Sequence, residues 1–318
     1  MILTDRPSYL QFYPTLACNE RCDFCFNRNI TPVKDVTIPE FERLLAVIGK
    51  AGIPSIDILG GEPTLHPDLL NLMDLLSNHQ LKVNISSNGS DVPLLRLLSE
   101  HYPQEAVRVG VSVNTPPLSL DLHNYILGCR PVLKSIFDPQ SIIPEFCRSY
   151  LELPGIDYFL IYMDVLEVRD LVRSVPFYKY YRKLERLKKD YGELDGVFCS
   201  GFIPDVRACP ALEWTRCPAG TTKLSVLPDG TVYPCYLFFR YPQFALGNLL
   251  HDDFETIWRH PILDHFRRFD KNRCPKSACD LHGVCHGGCP ALSYLFYGDL
   301  QGPDPRCLRE DLDGVRWD

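Results

Sequence analysis

The sequence predicts an α/β protein: a partial (β/α)6 TIM-like barrel over residues 1–204, followed by a smaller cysteine-rich domain over residues 205–318. Three observations favour this architecture. Short apolar strands alternate with helical segments in the first part, which is typical of a parallel sheet. Glycine-rich or polar motifs follow several of these strands, as at the mouth of a barrel. After residue 204 the composition changes to cysteines, glycines and short β-like runs.

The predicted elements follow one another regularly along the first part of the chain. Strands are predicted at residues 9–13, 56–59, 82–86, 107–113, 156–163 and 197–202. Helices are predicted at residues 38–48, 67–76, 93–99, 141–151 and 166–190. Thr37 is the expected N-cap of the first helix, with Pro39 in its first turn. Residues 116–140 contain four prolines and break the rhythm, so we expect an irregular insertion there.

Composition narrows the class of protein. Acidic residues outnumber basic ones, 40 to 33, and the formal charge of −7 argues against a nucleic-acid partner. The basic run at residues 178–189 is interpreted as a solvated helix face. No signal peptide and no apolar run that could span a bilayer are visible, so we expect a cytoplasmic protein without a membrane partner. In such a chain, 14 cysteines indicate metal ligands rather than disulfides.

The most specific motif is Cys18-x3-Cys22-x2-Cys25, directly after the first predicted strand. Three thiolates this close can hold three corners of a [4Fe–4S] cluster, whereas a closed cluster takes four. The open iron that remains could bind a reactant. A structural zinc ion is the alternative, but it would require a fourth Cys or His nearby, and the nearest histidine is His66.

Glycine and small polar residues end the next three predicted strands. The motifs are Gly60-Gly61-Glu62-Pro63, Ser87-Asn88-Gly89 and Ser112-Val113-Asn114. Glycine allows a close approach of the backbone to a ligand, and small polar side chains suit ribose hydroxyls and a carboxylate. Each motif alone could be an ordinary turn. Their positions on consecutive units indicate one binding site.

The cysteine motif, with Phe24 before its last cysteine, and the Gly-Gly-Glu-Pro motif together resemble the radical S-adenosylmethionine (SAM) superfamily. The resemblance implies a [4Fe–4S] cluster on Cys18, Cys22 and Cys25. It also implies SAM contacts from Phe24, Gly60, Gly61, Glu62, Pro63, Ser87, Asn88, Ser112 and Asn114. In this family one electron from the cluster cleaves SAM, and the resulting 5′-deoxyadenosyl radical abstracts hydrogen from a substrate.

Eight cysteines follow residue 204, which is the number that two four-cysteine clusters require. The run Cys274-x4-Cys279-x5-Cys285-x3-Cys289 resembles the SPASM extension of radical SAM maturases, although the usual first gap is x2. The resemblance implies auxiliary cluster I on Cys209, Cys217, Cys235 and Cys289. It implies auxiliary cluster II on Cys274, Cys279, Cys285 and Cys307. The fourth ligand of cluster I could be Cys199, water or a substrate atom instead of Cys209. His282 or His286 could also bind a cluster. A zinc ribbon is the alternative to both clusters.

The resemblance implies a radical SAM oxidoreductase with three [4Fe–4S] clusters that oxidises or cross-links a peptide or protein side chain. It implies an electron donor such as flavodoxin or ferredoxin. The first strand begins near residue 8, which leaves no room for a leader-peptide-binding domain before it, so we expect either a separate peptide-recognition protein or a small-molecule substrate. The alternatives are a small-molecule substrate in cofactor or natural-product biosynthesis, a non-catalytic iron–sulfur electron carrier, and a zinc-stabilised binding module. No motif identifies a catalytic acid or base; Asp164 and Glu167 lie near a predicted strand end.

Overall fold

Ten strands form one sheet in the computed structural model, which describes residues 6–28, 30–114, 118–137, 143, 145–191, 194–197, 217–267, 273–275 and 278–308. Their order across the sheet is β10-β9-β8-β1-β2-β3-β4-β5-β6-β7. The strands are β1 Tyr9–Phe12, β2 Ser55–Ile58, β3 Lys82–Ser87, β4 Val107–Ser112, β5 Val132–Ile136, β6 Tyr158–Ile161, β7 Leu194–Val197, β8 Lys223–Val226, β9 Thr231–Tyr233 and β10 Gly247–Asn248.

The central part of the sheet is parallel. Strands β1 to β7 pair in parallel in chain order, and β8 pairs in parallel with the other side of β1. Strands β9 and β10 continue from β8 as antiparallel neighbours. Because β7 and β10 form opposite edges, the described strands make an open barrel. The predicted α/β class is confirmed.

One prediction about an individual element was wrong. The expected insertion at residues 116–140 contains the helix Leu120–Cys129 and strand β5, so the parallel series has one more strand than the sequence indicated. The prolines obscured this unit, yet Pro131 stands just before β5, where a proline removes no ladder hydrogen bond. The last predicted strand, residues 197–202, overlaps β7, which pairs with β6 over Leu194–Val197, and residues 198–202 lie outside the described residues.

The described helices either connect strands of the parallel series or follow the hairpin of β8 and β9. They are α1 Ile38–Lys50, α2 Leu69–Asn78, α3 Val92–His101, α4 Leu120–Cys129, α5 Arg148–Leu151, α6 Val168–Leu171, α7 Phe177–Tyr191, α8 Phe254–Trp258, α9 Asp264–Arg267, α10 His282–Cys285, α11 Pro290–Tyr297 and α12 Pro305–Leu308. None of the described helices is long and apolar enough to cross a membrane. The predicted domain boundary near residue 205 falls outside the described ranges.

The first helix shows how the sequence fixes an element. Thr37 is its N-cap, as predicted, and forms a capping box in which the Glu40 amide donates to Thr37 Oγ1 and the Thr37 amide donates to Glu40 Oε2. Phe41 on the buried face packs on Phe12 of β1, with 5.3 Å between ring centres. This contact fixes which face of β1 points towards the helices.

We expect Thr37→Ala to lower the free energy of unfolding by about 1 kcal/mol, because it leaves the Glu40 amide without its capping oxygen. Urea denaturation of the two proteins measures the difference. Thr37→Ser keeps the hydroxyl and should retain most of the stability. Equal unfolding midpoints for wild type and Thr37→Ala would show that the cap contributes nothing.

The opposite face of the strands carries polar side chains. Successive strand residues point to opposite faces, so Gln11 of β1 points away from α1, on the interior side of the sheet. Gln11 is paired in register with Asp57 of β2, which is paired with Asn84 of β3. Gln11 and Asp57 are almost fully buried, and the side-chain amide of Asn84 donates to Asp57 Oδ1 at 2.7 Å. The barrel interior is therefore polar.

Candidate active site and auxiliary cysteine clusters

The three-cysteine loop leaves the C-terminal end of β1. Cys18 is exposed, whereas Cys22 and Cys25 are half-buried. The pKa of Cys22 is raised to about 12, and burial is the largest cause. Glu20 and the thiols of Cys25 and Cys18 also raise this pKa. The three thiols are thus close enough to act on one another. Each would have to lose its proton to bind iron, and the charge of the metal drives that loss.

Hydrogen bonds attach this loop to the loops that follow β2 and β3. The Glu62 amide donates to the Ala17 carbonyl at 2.7 Å. Asn19 accepts from the Asn88 side-chain amide at 2.8 Å and donates to the Ser90 hydroxyl at 2.9 Å. The three predicted motifs therefore form one connected unit at the mouth of the barrel.

Gly60 and Gly61 allow the loop after β2 to contact the cysteine loop after β1. A Cβ on Gly60 would lie 2.5 Å from the Thr15 carbonyl oxygen, and a Cβ on Gly61 would lie 2.1 Å from that of Ala17. Real side chains do not approach a backbone oxygen so closely. The sequence indicated a close approach of this backbone to a ligand, and the structure shows its close approach to the cysteine loop.

We expect Gly61→Ala to separate the two loops and to reduce the iron bound by the reconstituted protein by about four atoms, one cluster's content. Gly49→Ala is the matched control, since no atom lies within 4 Å of the position of its Cβ. Iron content and thermal unfolding of both variants measure the effect. Wild-type iron content in Gly61→Ala would contradict the role assigned to this contact.

Glu62 connects the motifs after β2 and β3. Its side chain is buried, and Oε1 accepts from the Thr64 amide at 3.1 Å, from the Thr64 hydroxyl at 2.7 Å and from the Ser87 hydroxyl at 2.8 Å. Its other oxygen accepts from the Asn88 amide at 2.6 Å. All four of these bonds lie within the protein, so Glu62 fixes the geometry of the strand ends.

The other predicted SAM contacts lie around the same mouth. Phe24 is half-buried against the core, and Pro63 begins a short 3-10 turn, Pro63–Leu65. Ser112 ends β4 and is paired in register with Lys134 of β5. The side-chain oxygen of Asn114, Oδ1, accepts from the Ile136 backbone amide at 2.8 Å, which joins the ends of β4 and β5.

Long-range polar contacts that the sequence did not reveal hold the far end of the cysteine loop. Arg28 pairs with Asp170 at 2.6 Å. Arg240, from the C-terminal region, donates to the carbonyls of Phe26 and Arg28 at 3.0 Å each. These partners are 142 to 214 residues apart in the chain, so no local pattern could have shown them.

Lys134 is a further buried group that the sequence reasoning missed. It lies on β5 and donates to the Ser86 hydroxyl of β3. Burial lowers the pKa of Lys134 to about 8, although the carboxylates of Asp57 and Glu62 oppose the shift. The residue was overlooked because its segment was interpreted as an insertion.

The cysteines of the C-terminal region form two sets of neighbouring thiols. In set I, burial raises the pKa of Cys235, and the thiols of Cys289 and Cys217 raise it further. In set II, burial raises the pKa of Cys285, with contributions from Cys274 and Cys279, and Cys285 in turn acts on Cys307. Cys199 and Cys209 lie outside the described residues.

The remaining cysteines and histidines have other surroundings. Cys147 is buried in the core, and Cys129 is half-buried at the end of α4. His286 is buried with a φ of 51°, and His282 begins α10.

The donor chemistry of the three thiol groups fits iron–sulfur clusters. Each group consists of cysteines, and a [4Fe–4S] cube is held by cysteine thiolates on separate iron atoms.

Two family models match the chain. The radical SAM superfamily model matches residues 12–127, and an iron–sulfur cluster-binding domain model, SPASM, matches residues 217–289. The first match contains the cysteine loop and the strand-end motifs. The second begins at the first cysteine of set I and ends at Cys289.

Known proteins resemble the chain over most of its length. It is 24% identical to the antilisterial bacteriocin subtilosin biosynthesis protein AlbA of Bacillus subtilis, over 89% of this chain and 67% of AlbA. It is 31% identical to a probable GTP 3′,8-cyclase of Thermococcus kodakarensis, over 70% of this chain and 82% of that protein.

A solved structure has the same fold. Streptococcus suis SuiB, bound to its precursor peptide SuiA, superposes with a TM-score of 0.70 at 19% identity, covering 96% of this chain and 76% of SuiB. The family matches and the relatives identify the protein as an iron–sulfur enzyme that uses SAM. The chain belongs to the radical SAM superfamily and carries a C-terminal SPASM domain.

Proposed function

We propose that this enzyme binds SAM at the mouth of the barrel and oxidises or cross-links a side chain of a peptide or protein. The observation that carries the proposal is the hydrogen-bonded unit of three loops. It places Cys18, Cys22 and Cys25 beside the Gly-Gly-Glu-Pro and Ser-Asn-Gly motifs. A cluster with one open iron would thus lie beside the polar groups that a bound SAM requires.

The SAM site is proposed to use the nine predicted residues around this mouth. Cys18, Cys22 and Cys25 would hold a [4Fe–4S] cluster that, once reduced by the electron donor, would supply the electron that cleaves SAM to methionine and a 5′-deoxyadenosyl radical. The protein contributes position and shielding from water. The Glu62 carboxylate joins the ends of β2 and β3 through its hydrogen bonds to Ser87 and Asn88.

Two auxiliary [4Fe–4S] clusters are proposed in the SPASM domain, which we infer to extend over residues 205–318 after a barrel domain of residues 1–204. Cluster I would use Cys217, Cys235 and Cys289, with Cys209 as the fourth ligand. Cluster II would use Cys274, Cys279, Cys285 and Cys307. The grouping of the described thiols supports this division, which gives three clusters in all.

The peptide substrate is inferred from the relatives. AlbA is named for the biosynthesis of a bacteriocin, and SuiB is seen with a precursor peptide. We propose that flavodoxin or ferredoxin supplies electrons, that a separate protein presents the peptide, and that the enzyme works in the cytoplasm. Low-potential clusters and free thiols suit a reducing compartment.

A small-molecule substrate is the second candidate. The relative with 31% identity is a probable GTP 3′,8-cyclase, named for a reaction on a nucleotide. The polar barrel interior, with Asp57, Asn84 and Lys134, would also suit a polar small molecule.

Deuterium transfer distinguishes the two candidates. The anaerobically reconstituted enzyme is incubated with SAM, dithionite and deuterated peptides encoded beside its gene, or with deuterated GTP. We expect deuterium in 5′-deoxyadenosine from a peptide, with loss of hydrogen from that peptide. Transfer from GTP alone would overturn the peptide proposal, and Cys22→Ala provides the inactive control.

A further inference from the structure

A buried ion pair, Asp304 with Arg306, lies between the two sets of auxiliary cysteines. Both side chains are buried, 4% and 3% exposed. The contact is bidentate: Arg306 Nε donates to Oδ1 at 2.9 Å, and Nη2 donates to Oδ2 at 2.7 Å. This paired geometry is the strong form of an arginine–carboxylate contact.

The pair touches both thiol sets. Asp304 Oδ2 also accepts from the backbone amide of Cys289, in set I, at 3.0 Å. Arg306 directly precedes Cys307, in set II. Gly288, with a φ of 82°, makes room for the carboxylate, since a Cβ there would lie 2.3 Å from the Asp304 Cβ.

The same guanidinium also contacts the barrel. Arg306 Nη1 donates to the Met163 carbonyl at 3.0 Å, just beyond the end of β6. Its central carbon lies 3.9 Å from the centre of the Tyr162 ring. The pair therefore joins the barrel mouth to both auxiliary sets.

The pair brings charges of opposite sign next to both sets of thiols. The Asp304 carboxylate accepts from the Cys289 amide at 3.0 Å, and Arg306 directly precedes Cys307 in the chain. Both charges would act on a bound cluster, whose potential depends on nearby charge and hydrogen bonds. Burial keeps water from screening them.

We propose that Asp304 and Arg306 tune the reduction potentials of the auxiliary clusters, with Arg306 raising them and Asp304 lowering them. This inference rests on the proposed function, because it requires clusters on these thiols. A purely structural pair is the alternative, since a buried ion pair is often replaceable by apolar residues without loss of stability.

The sign of the shift separates the two roles. Asp304→Asn removes the negative charge, although its side-chain oxygen can still accept from Cys289. Arg306→Gln removes the positive charge. Both variants break the same bridge, so a packing defect would move the potentials in one direction, whereas electrostatic tuning moves them in opposite directions.

Potentiometric titration followed by electron paramagnetic resonance measures these shifts in the full-length reconstituted protein, with Cys18, Cys22 and Cys25 replaced by alanine to leave the auxiliary signals alone. We expect a higher midpoint in Asp304→Asn and a lower one in Arg306→Gln. Each should change the one-electron equilibrium at least tenfold, ~59 mV. The double variant should return close to the starting value, and Glu255→Gln, in an exposed ion pair, should not move it.

Shifts of the same sign, or no shift in Asp304→Asn at full iron content, would overturn the inference. Should Arg306→Gln bind less iron, Asp304→Asn decides alone: a raised midpoint supports tuning, and any other result refutes it. Failure of the proposed function would give different results. The protein with Cys18, Cys22 and Cys25 replaced by alanine would then bind no auxiliary iron, or the wild-type protein would form no 5′-deoxyadenosine.

Discussion

Cys22→Ala is expected to form no 5′-deoxyadenosine from SAM and to lose about four of about twelve irons. Cys22 lies between the other two thiols of the loop and is acted on by both. With two thiolates left, the loop cannot retain a cube that already has an open corner. Iron analysis and chromatography with mass detection measure the two quantities on one preparation.

Cys129→Ala is the matched control for this variant. Cys129 is half-buried at the end of α4 and belongs to none of the three thiol groups. It should retain all iron and full SAM cleavage. Unimpaired cleavage by Cys22→Ala would show that the reactive cluster is held elsewhere, and a complete loss of iron would show that the three sites do not load independently.

Glu62→Gln is expected to lower the free energy of unfolding by about 3 kcal/mol and to weaken SAM binding strongly. The buried carboxylate accepts four hydrogen bonds with two oxygens. Glutamine offers one oxygen, and its amide group would face donors from Thr64, Ser87 or Asn88. A buried donor left without an acceptor costs about 1–3 kcal/mol.

Denaturant unfolding and calorimetric SAM titration of the reconstituted protein measure both effects. Glu42→Gln, an exposed change on α1, should leave stability and binding as in wild type. Should Glu62→Gln bind SAM normally, the hydrogen bonds between the ends of β2 and β3 would not set the geometry of the site. Normal stability would contradict the four bonds themselves.

The sequence predicted those features whose causes are local. The Thr37 cap depends on residues 37 to 40, and the cysteine loop on eight consecutive residues. The order of strand-end motifs followed from β–α alternation, because parallel strands bring their C-terminal ends to one edge. These elements could be read without knowledge of the tertiary structure.

What the sequence could not reveal depends on distant contacts. Strand β5 was missed because prolines surround a short pattern, and buried Lys134 was missed with it. Arg28 meets Asp170, and Arg306 meets Met163 from 143 residues away, only once the sheet has formed. Glycine in Gly60-Gly61 was linked to a ligand, whereas its nearest neighbour proved to be another loop of the chain.

The central claim is that three connected loops at the barrel mouth form a site that cleaves SAM. The most direct measurement is anaerobic incubation of the reconstituted wild-type protein with SAM and dithionite, followed by quantification of 5′-deoxyadenosine and methionine. The claim predicts both products in equal amounts, dependent on dithionite and absent in Cys22→Ala. Protein carrying about twelve irons that yields neither product would contradict it.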